Sequence, residues 1–137
     1  MHRFLISAAH KSSGKTTISI GLAAALSSGK HGQPARSVQP FKKGPDYIDP
    51  LWLSVAAGRP CYNLDFFISP DAELREQFAR HGHDAEVCLV EGNKGLYDGL
   101  DLEGSNSNAA LARLLDLPVV LVLDARGMTR GIAPLIL

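Results

Sequence analysis

Between Phe4 and Leu26 the chain passes from a short apolar run, Phe4-Leu5-Ile6, through Ala8-Ala9-His10-Lys11-Ser12-Ser13-Gly14-Lys15-Thr16-Thr17 into Ile18, Leu22, Ala25 and Leu26 at helical spacing. That order, buried strand, glycine-bearing turn, helix, is met by few architectures. A loop that turns into a helix N-terminus aims unpaired backbone N–H groups at an anion, and the helix dipole adds to the attraction. Read this way, residues His10, Lys11, Ser12, Ser13, Gly14, Lys15, Thr16 and Thr17 form a P-loop for ATP. Lys15 brings a mobile positive charge to the outer phosphates, and Thr16 a hydroxyl to Mg2+, which takes few protein ligands beside phosphate oxygens. Ala9 stands where the first glycine of GxxxxGK[ST] is usual, so the flanking strand and helix carry the assignment.

Composition narrows the class without naming a chemistry. With 137 residues, 45% of them hydrophobic, the chain can build one core. Acidic and basic residues balance at 14 each, which argues against a nucleic-acid footprint. Lys42-Lys43 is too short a basic run to change that, and a lysine pair is ordinarily solvated. Cys61 and Cys88 lie in no metal-ligand spacing, and Cys88 sits within the apolar run Val87–Val90, so both read as structural in a reduced, cytoplasmic protein. The N-terminus carries no long apolar signal region, and no segment is long enough to span a membrane.

Along the chain the pattern predicts strands at 3–8, 37–41, 86–90 and 119–123, with helices at 15–28, 50–57, 70–81 and 108–115. Ser69-Pro70-Asp71 reads as cap, first-turn proline and early acid of the third helix. Glu86–Val90 and Val119–Leu123 are apolar without alternation, as suits strands covered on both faces. The result is an α/β chain with a mostly parallel sheet, in one piece, with no repeat or linker. Gly131–Leu137 reads as a helix just starting, and its apolar end suggests a fragment with an incomplete sheet.

Two loops gather acids where an open parallel sheet binds ligands. The loop Lys42–Pro50 holds Asp46 and Asp49, although Asp49 before a proline serves equally well as a helix cap. Glu91–Gly99 follows the third predicted strand, and its three glycines in nine residues imply a sharp bend or a close approach to a ligand. Glu91 takes the place of an acid that reaches magnesium or orients the reacting group, whereas Asp98 in Tyr-Asp-Gly is equally a turn residue. Four acids exceed what one magnesium requires. The surplus suits a second task, holding a cationic group or handling protons during attack by an amine.

Pro40-Phe41-Lys42-Lys43-Gly44-Pro45-Asp46-Tyr47-Ile48-Asp49-Pro50, then Gly58–Asp65, Glu91-Gly92 and Gly95-Leu96-Tyr97-Asp98-Gly99, resemble the cobyrinic acid a,c-diamide synthase family. The resemblance runs from the P-loop to Asp124-Ala125-Arg126-Gly127-Met128. It implies a P-loop NTPase-like, dethiobiotin-synthetase-like three-layer fold, with residues 1–137 the N-terminal part of an ATP-dependent synthetase domain and a C-terminal glutaminase domain outside this chain. The implied reaction is amidation of tetrapyrrole acetate side chains through an acyl phosphate, with ammonia from glutamine or another source. On that resemblance Asp46, Asp49, Glu91 and Asp98 are catalytic and Thr16, Asp46 and Glu91 hold magnesium; Lys43, Tyr47 and Tyr97 are expected to meet substrate, and so is Lys94, at a position where the chain leaves the family pattern. For the two tyrosines, packing is an equal alternative. A homodimer is compatible with the resemblance.

Asn93-Lys94 and Thr129-Arg130-Gly131-Ile132 depart from the family pattern, which keeps sirohaem, sirohydrochlorin and nickel-sirohydrochlorin open as substrates. No cysteine sits in a nucleophile elbow, so glutamine hydrolysis is not expected of these residues. A MinD/ParA-like regulatory ATPase would carry a lysine five residues before Lys15, where His10 stands. Dethiobiotin synthetase would lack the Lys42–Pro50 string. A catalytically silent binding fragment is the remaining alternative.

Overall fold

A computed structural model describes residues 1–29 and 32–137. Five strands, β1 (His2–Ala8), β2 (Val38–Lys43), β3 (Tyr62–Leu64), β4 (Val87–Glu91) and β5 (Val119–Val122), form one sheet in the order β3-β2-β4-β1-β5, every pairing parallel. Parallel neighbours need crossovers, supplied by α1 (Lys15–Ser28), α2 (Ile48–Ala57), α3 (Asp71–Gly82) and α4 (Asn108–Leu115). The α/β expectation holds, and the architecture is compatible with a P-loop-like fold.

Strand alternation sorts the core into two layers. Ile6, Val38, Val87 and Leu89 face α1 and α2, where Ala23, Leu53 and Ala57 meet them. Leu5, Phe41, Cys88 and Val90 point the other way, onto Leu74 and Phe78 of α3 and Leu111 and Leu115 of α4. Phe41, fully buried, sets its ring centroid 4.9 Å from that of Phe78. The two cysteines are free; burial pushes the Cys88 thiol up to about 11 and the Cys61 thiol up to about 12, as fits packing rather than reactivity.

The differences from the sequence expectation are local and have physical causes. β2 runs two residues past its expected end, so Lys42 and Lys43 belong to the strand and not to the loop. Pro40 is tolerated because β3 pairs only with Phe41–Lys43, and the Pro40 carbonyl accepts from Gln39 Nε2 instead. β3 itself, three residues with an asparagine at its centre, carries no alternation and was not expected. α2 starts at Ile48, which leaves Pro50 in the first turn, where its missing N–H costs nothing. The cap of α3 is Pro70 without a side-chain bond, while Ser69 is buried beside Gln77. The last segment, Arg130–Leu135, is a 3-10 helix rather than an α-helix, with Pro134 inside it. β5 is an edge strand whose Val119 and Val120 stay 40% and 43% exposed.

Phe41→Ala is expected to destabilise the chain by about 3–5 kcal/mol in urea unfolding, through lost burial plus a cavity between sheet and α3. Val55→Ala, on the solvent face of α2 at 79% exposure, is expected to stay within about 0.5 kcal/mol. Equal losses at the two positions would contradict this layering.

Candidate active site

The strands end together at one edge of the sheet, and their register aligns the chemistry. Glu91, last residue of β4, lies opposite Ile6 of β1 and Lys42 of β2. Registered neighbours share a face, so Glu91 and Lys42 both point toward α1 and α2. Thr16 in the first turn of α1 and Asp49 in the first turn of α2 close the group from above. Lys42 Nζ donates to Asp49 Oδ2 at 2.9 Å, Glu91 Oε1 at 3.2 Å and the Gly92 carbonyl at 3.2 Å, with Asp46 Oδ2 at 3.9 Å. Thr16 Oγ1 donates to Glu91 Oε1 at 2.7 Å and approaches Asp49 Oδ2 at 3.3 Å. Glu91 is 0% exposed, and its Oε2 has no hydrogen-bond partner among the described residues.

Burial alone would push Lys42 down, but the Glu91 and Asp49 carboxylates outweigh it and hold the ammonium above the ordinary lysine value. Lys15 moves the other way, lowered first by burial and then by the Lys42 charge, with Glu91, Asp49 and Asp98 only partly offsetting them. The site therefore holds one satisfied cation and one that gains from an added anion.

Residues 10–17 hold groups that such an anion could meet. Gly14, in the left-handed region at φ 89°, lends no side-chain cap to α1, which leaves the helix's first N–H groups free. A concavity of about 230 Å³ is lined by Ser12, Ser13, Gly14, Lys15, Thr16 and Thr17. The loop braces itself through Ser13, whose hydroxyl donates to the His10 carbonyl at 2.8 Å; Lys11 and Thr17 are exposed. Oxygen donors at Thr16, Asp49 and Glu91, with the unpartnered Glu91 Oε2, fit a hard divalent cation such as Mg2+. No group of three or more His, Cys, Asp or Glu side chains gathers at metal-binding distances among the described residues. Magnesium bound largely by phosphate and water does not require one.

The other expected site residues fall into two groups. Asp46 Oδ1 accepts from the N–H groups of Ile48 and Asp49 at 3.0 and 3.1 Å, so Asp46 rather than Asp49 satisfies the start of α2. Asp49 is thereby free to meet Lys42 and Thr16. Asp98 Oδ2 accepts from Gly95 N at 2.8 Å at the edge of the group. Lys43, next in the strand after Lys42, points to the opposite face, where Nζ donates to Asn93 Oδ1 at 3.2 Å. Lys94 is exposed, and Tyr47 and Tyr97 are exposed rather than packed into the core.

The chain aligns with curated proteins along nearly its whole length. It is 55% identical over 136 residues to the cobyrinate a,c-diamide synthase of Magnetococcus marinus, covering 98% of this chain and 28% of that protein. The chain is homologous to a segment of the cobyrinate a,c-diamide synthases. Those of Syntrophotalea carbinolica and Methanosarcina barkeri are 43% and 42% identical, each over 98% of this chain and 28% and 27% of their own lengths. The chain thus spans under a third of these synthases. No protein-family model matches it.

Two residues of this synthase-like segment escaped sequence reasoning. Lys42 looked like half of a solvated pair, yet it is 3% exposed; its position at the C-terminal end of a buried strand was the available signal. Asn108, fully buried at the start of α4, donates through Nδ2 to Ser7 Oγ, the Asn93 carbonyl and the Gly95 carbonyl, and accepts from Asn93 N. It pins the loop after Glu91 against β1. Gly95 lies so close to the P-loop that an added Cβ would stand 2.6 Å from the Ala9 carbonyl oxygen. Nothing in sequence alone announces Asn108, whose contacts span 101 residues.

Lys42→Met strands two carboxylates around a neutral side chain and is expected to cost about 3–5 kcal/mol in urea unfolding at pH 7. Adding Glu91→Gln should recover part of that loss; strict additivity in the double-mutant cycle would show the pair to be uncoupled. The raised Lys42 value sets the sign of the pH dependence. Its stabilising contribution is complete below the unfolded lysine value near 10.5 and is lost as pH rises through the higher folded value, so the wild-type advantage over Lys42→Met should shrink only in strong alkali.

Proposed function

We propose that this chain forms the N-terminal part of the ATP-dependent synthetase domain of a tetrapyrrole-amidating ligase, with a P-loop NTPase-like, dethiobiotin-synthetase-like fold that activates acetate side chains as acyl phosphates. The observation that carries this reading is the meeting of Thr16, Asp49, Glu91 and Lys42 directly beside the uncapped N-terminus of α1. The homologues are cobyrinate a,c-diamide synthases, which supports cobyrinate as the substrate class.

The residues suit each requirement of the reaction. A substrate carboxylate oxygen attacks the γ-phosphorus of ATP and ADP leaves; ammonia then attacks the acyl carbon, and hydrogen phosphate leaves with the proton that the nitrogen gives up, so that one proton is released in net only where the nitrogen arrives as ammonium. Both reactants of the first step are anions. Lys15 and the free N–H groups of the loop offset their repulsion as the charge shifts. Thr16, Asp49 and Glu91 would hold Mg2+, which, when bound, neutralises phosphate charge. In the second step an acidic pocket attracts ammonium, and a carboxylate of Asp46, Asp49 or Asp98 takes its proton. Ammonia comes from a glutaminase domain or another source outside these residues. Exposed Tyr47, Phe67, Tyr97 and Leu100 offer apolar surface at the same edge of the sheet, as a large ring carrying carboxylates would need.

Lys94 favours a second reading within the same chemistry, with sirohaem, sirohydrochlorin or its nickel complex in place of cobyrinate, because an added ammonium suits a different set of carboxylates.

The full-length protein, given ATP, Mg2+ and ammonia with each tetrapyrrole in turn, is expected to convert carboxylates to amides, read by mass as successive carboxylate-to-amide changes. Absence of amide on every tetrapyrrole would refute the proposal. Glu91→Gln is expected to lower turnover by roughly 100-fold or more with the fold intact by circular dichroism; unchanged turnover would remove Glu91 from the site.

A further inference from the structure

Consecutive lysines of β2 meet opposite fates. Lys42 is surrounded by carboxylates; Lys43, 7% exposed on the other face of the strand, has none within ion-pair distance among the described residues. Its ammonium has only the Asn93 amide oxygen at 3.2 Å and the ring of Phe66, 5.9 Å to the centroid. A buried charge without a counter-ion is costly and ordinarily absent. Here burial, offset in part by Asp65, lowers the Lys43 value, and the nearby charges of Lys94 and Lys42 lower it further. An arriving anion would relieve all of these penalties.

The wall that Lys43 belongs to encloses a cleft of about 210 Å³. Lys94 stands at its mouth in a left-handed backbone conformation, φ 45°. Phe67, 82% exposed, and Leu100 give it an apolar rim. One oxygen of each carboxylate in the lining is taken by its own loop: Asp65 Oδ1 accepts from Phe67 N at 2.9 Å and Asp98 Oδ2 from Gly95 N at 2.8 Å. Lys43 spends one of its three N–H donors, on Asn93 Oδ1, and the Lys94 side chain makes no hydrogen bond or ion pair among the described residues. The cleft is smaller than the roughly 300–1,000 Å³ that encloses a whole small-molecule ligand, so it suits one arm of a larger one. It also adjoins the loop before α1, since Gly95, whose N–H Asp98 Oδ2 accepts, lies so close that an added Cβ would stand 2.6 Å from the Ala9 carbonyl oxygen.

We propose that this cleft receives a non-reacting carboxylate arm of the substrate, gripped by Lys43 with Lys94 at its mouth, and so determines which other arm is presented for phosphorylation. The inference rests on the amidation reading and adds to it a specificity-determining role. Lys43 makes no contact with the reacting carboxylate; it anchors the ring so that one acetate, and not its neighbours, lies before Lys15.

The test uses the full-length protein with cobyrinate, ATP, Mg2+ and ammonia. Lys43→Met is expected to raise KM for cobyrinate roughly 10- to 100-fold, the loss of one charge-assisted hydrogen bond, with kcat changed far less. The first monoamide should become a mixture of regioisomers, and Lys43→Arg should restore both KM and the single product. Unchanged KM with a single unchanged monoamide overturns the proposal. Should Lys43→Met fail to fold, exposed Lys94→Met decides in its place, with a several-fold rise in KM expected and an unchanged KM overturning it. If the wild type makes no amide at all, the amidation reading falls, and calorimetric titration decides the cleft separately. Cobyrinate binding that is weakened in Lys43→Met, beside an esterified cobyrinate that binds both proteins equally, upholds the anion subsite; identical cobyrinate binding by both overturns it.

Discussion

A carboxylate buried at the end of a central strand has to be answered by the elements around it. Glu91 is that group. It sits on β4, the middle strand of the sheet, with no exposed surface, and its Oε1 draws Thr16 from α1 and Lys42 from β2. Such a charge is tolerated only where paired and hydrogen-bonded. The pairing holds three crossover connections to one geometry, because Lys42 also takes Asp49 and the Gly92 carbonyl. One oxygen of Glu91 stays unpartnered, and that valence gives the arrangement a use beyond stability.

Around this centre the loops are held by groups outside the cluster of Thr16, Lys42, Asp49 and Glu91. Asn108 fixes the Gly92–Gly95 backbone against Ser7, and Asn63 Nδ2 holds the Asp46 carbonyl at 3.0 Å. Asp46 in turn satisfies the first N–H groups of α2, which releases Asp49 toward Lys42. The fixed loops hold Asp49 and Glu91 within hydrogen-bond reach of Thr16 at the N-terminus of α1. Preorganisation of this kind matters where developing charge must be met without rearrangement.

The legible parts of the sequence were those governed by local rules. The helical spacing after Thr17 and the unalternated run Val87–Val90 yielded α1 and β4 nearly to the residue, because burial on one stripe or on both faces leaves a periodic trace. The acids at Asp46, Asp49 and Glu91 were legible as a group because each follows a strand end. What could not be read was settled by register across strands. Lys42 and Lys43 look alike in sequence, and only the extension of β2 by two residues assigns them to opposite faces. β3 had no trace, since three residues ending in Leu64 carry too little pattern to separate from a turn.

That same alternation explains how one short strand can serve two anions. Consecutive Cα atoms are 3.8 Å apart, yet their side chains leave a strand in opposite directions. Lys42 is consumed by the acids that border the N-terminus of α1, and Lys43 is delivered, without an ion-pair partner among the described residues, to the cleft behind it. Had β2 ended at Phe41, as its sequence suggests, both ammoniums would lie on a loop, solvated and interchangeable. Two residues of added strand make them distinct: one a fixed counter-charge, the other an open valence. Under the amidation we propose, a polyacidic substrate would use both kinds, because the carboxylate that reacts must meet an electrophile while the carboxylates that do not react must be held elsewhere.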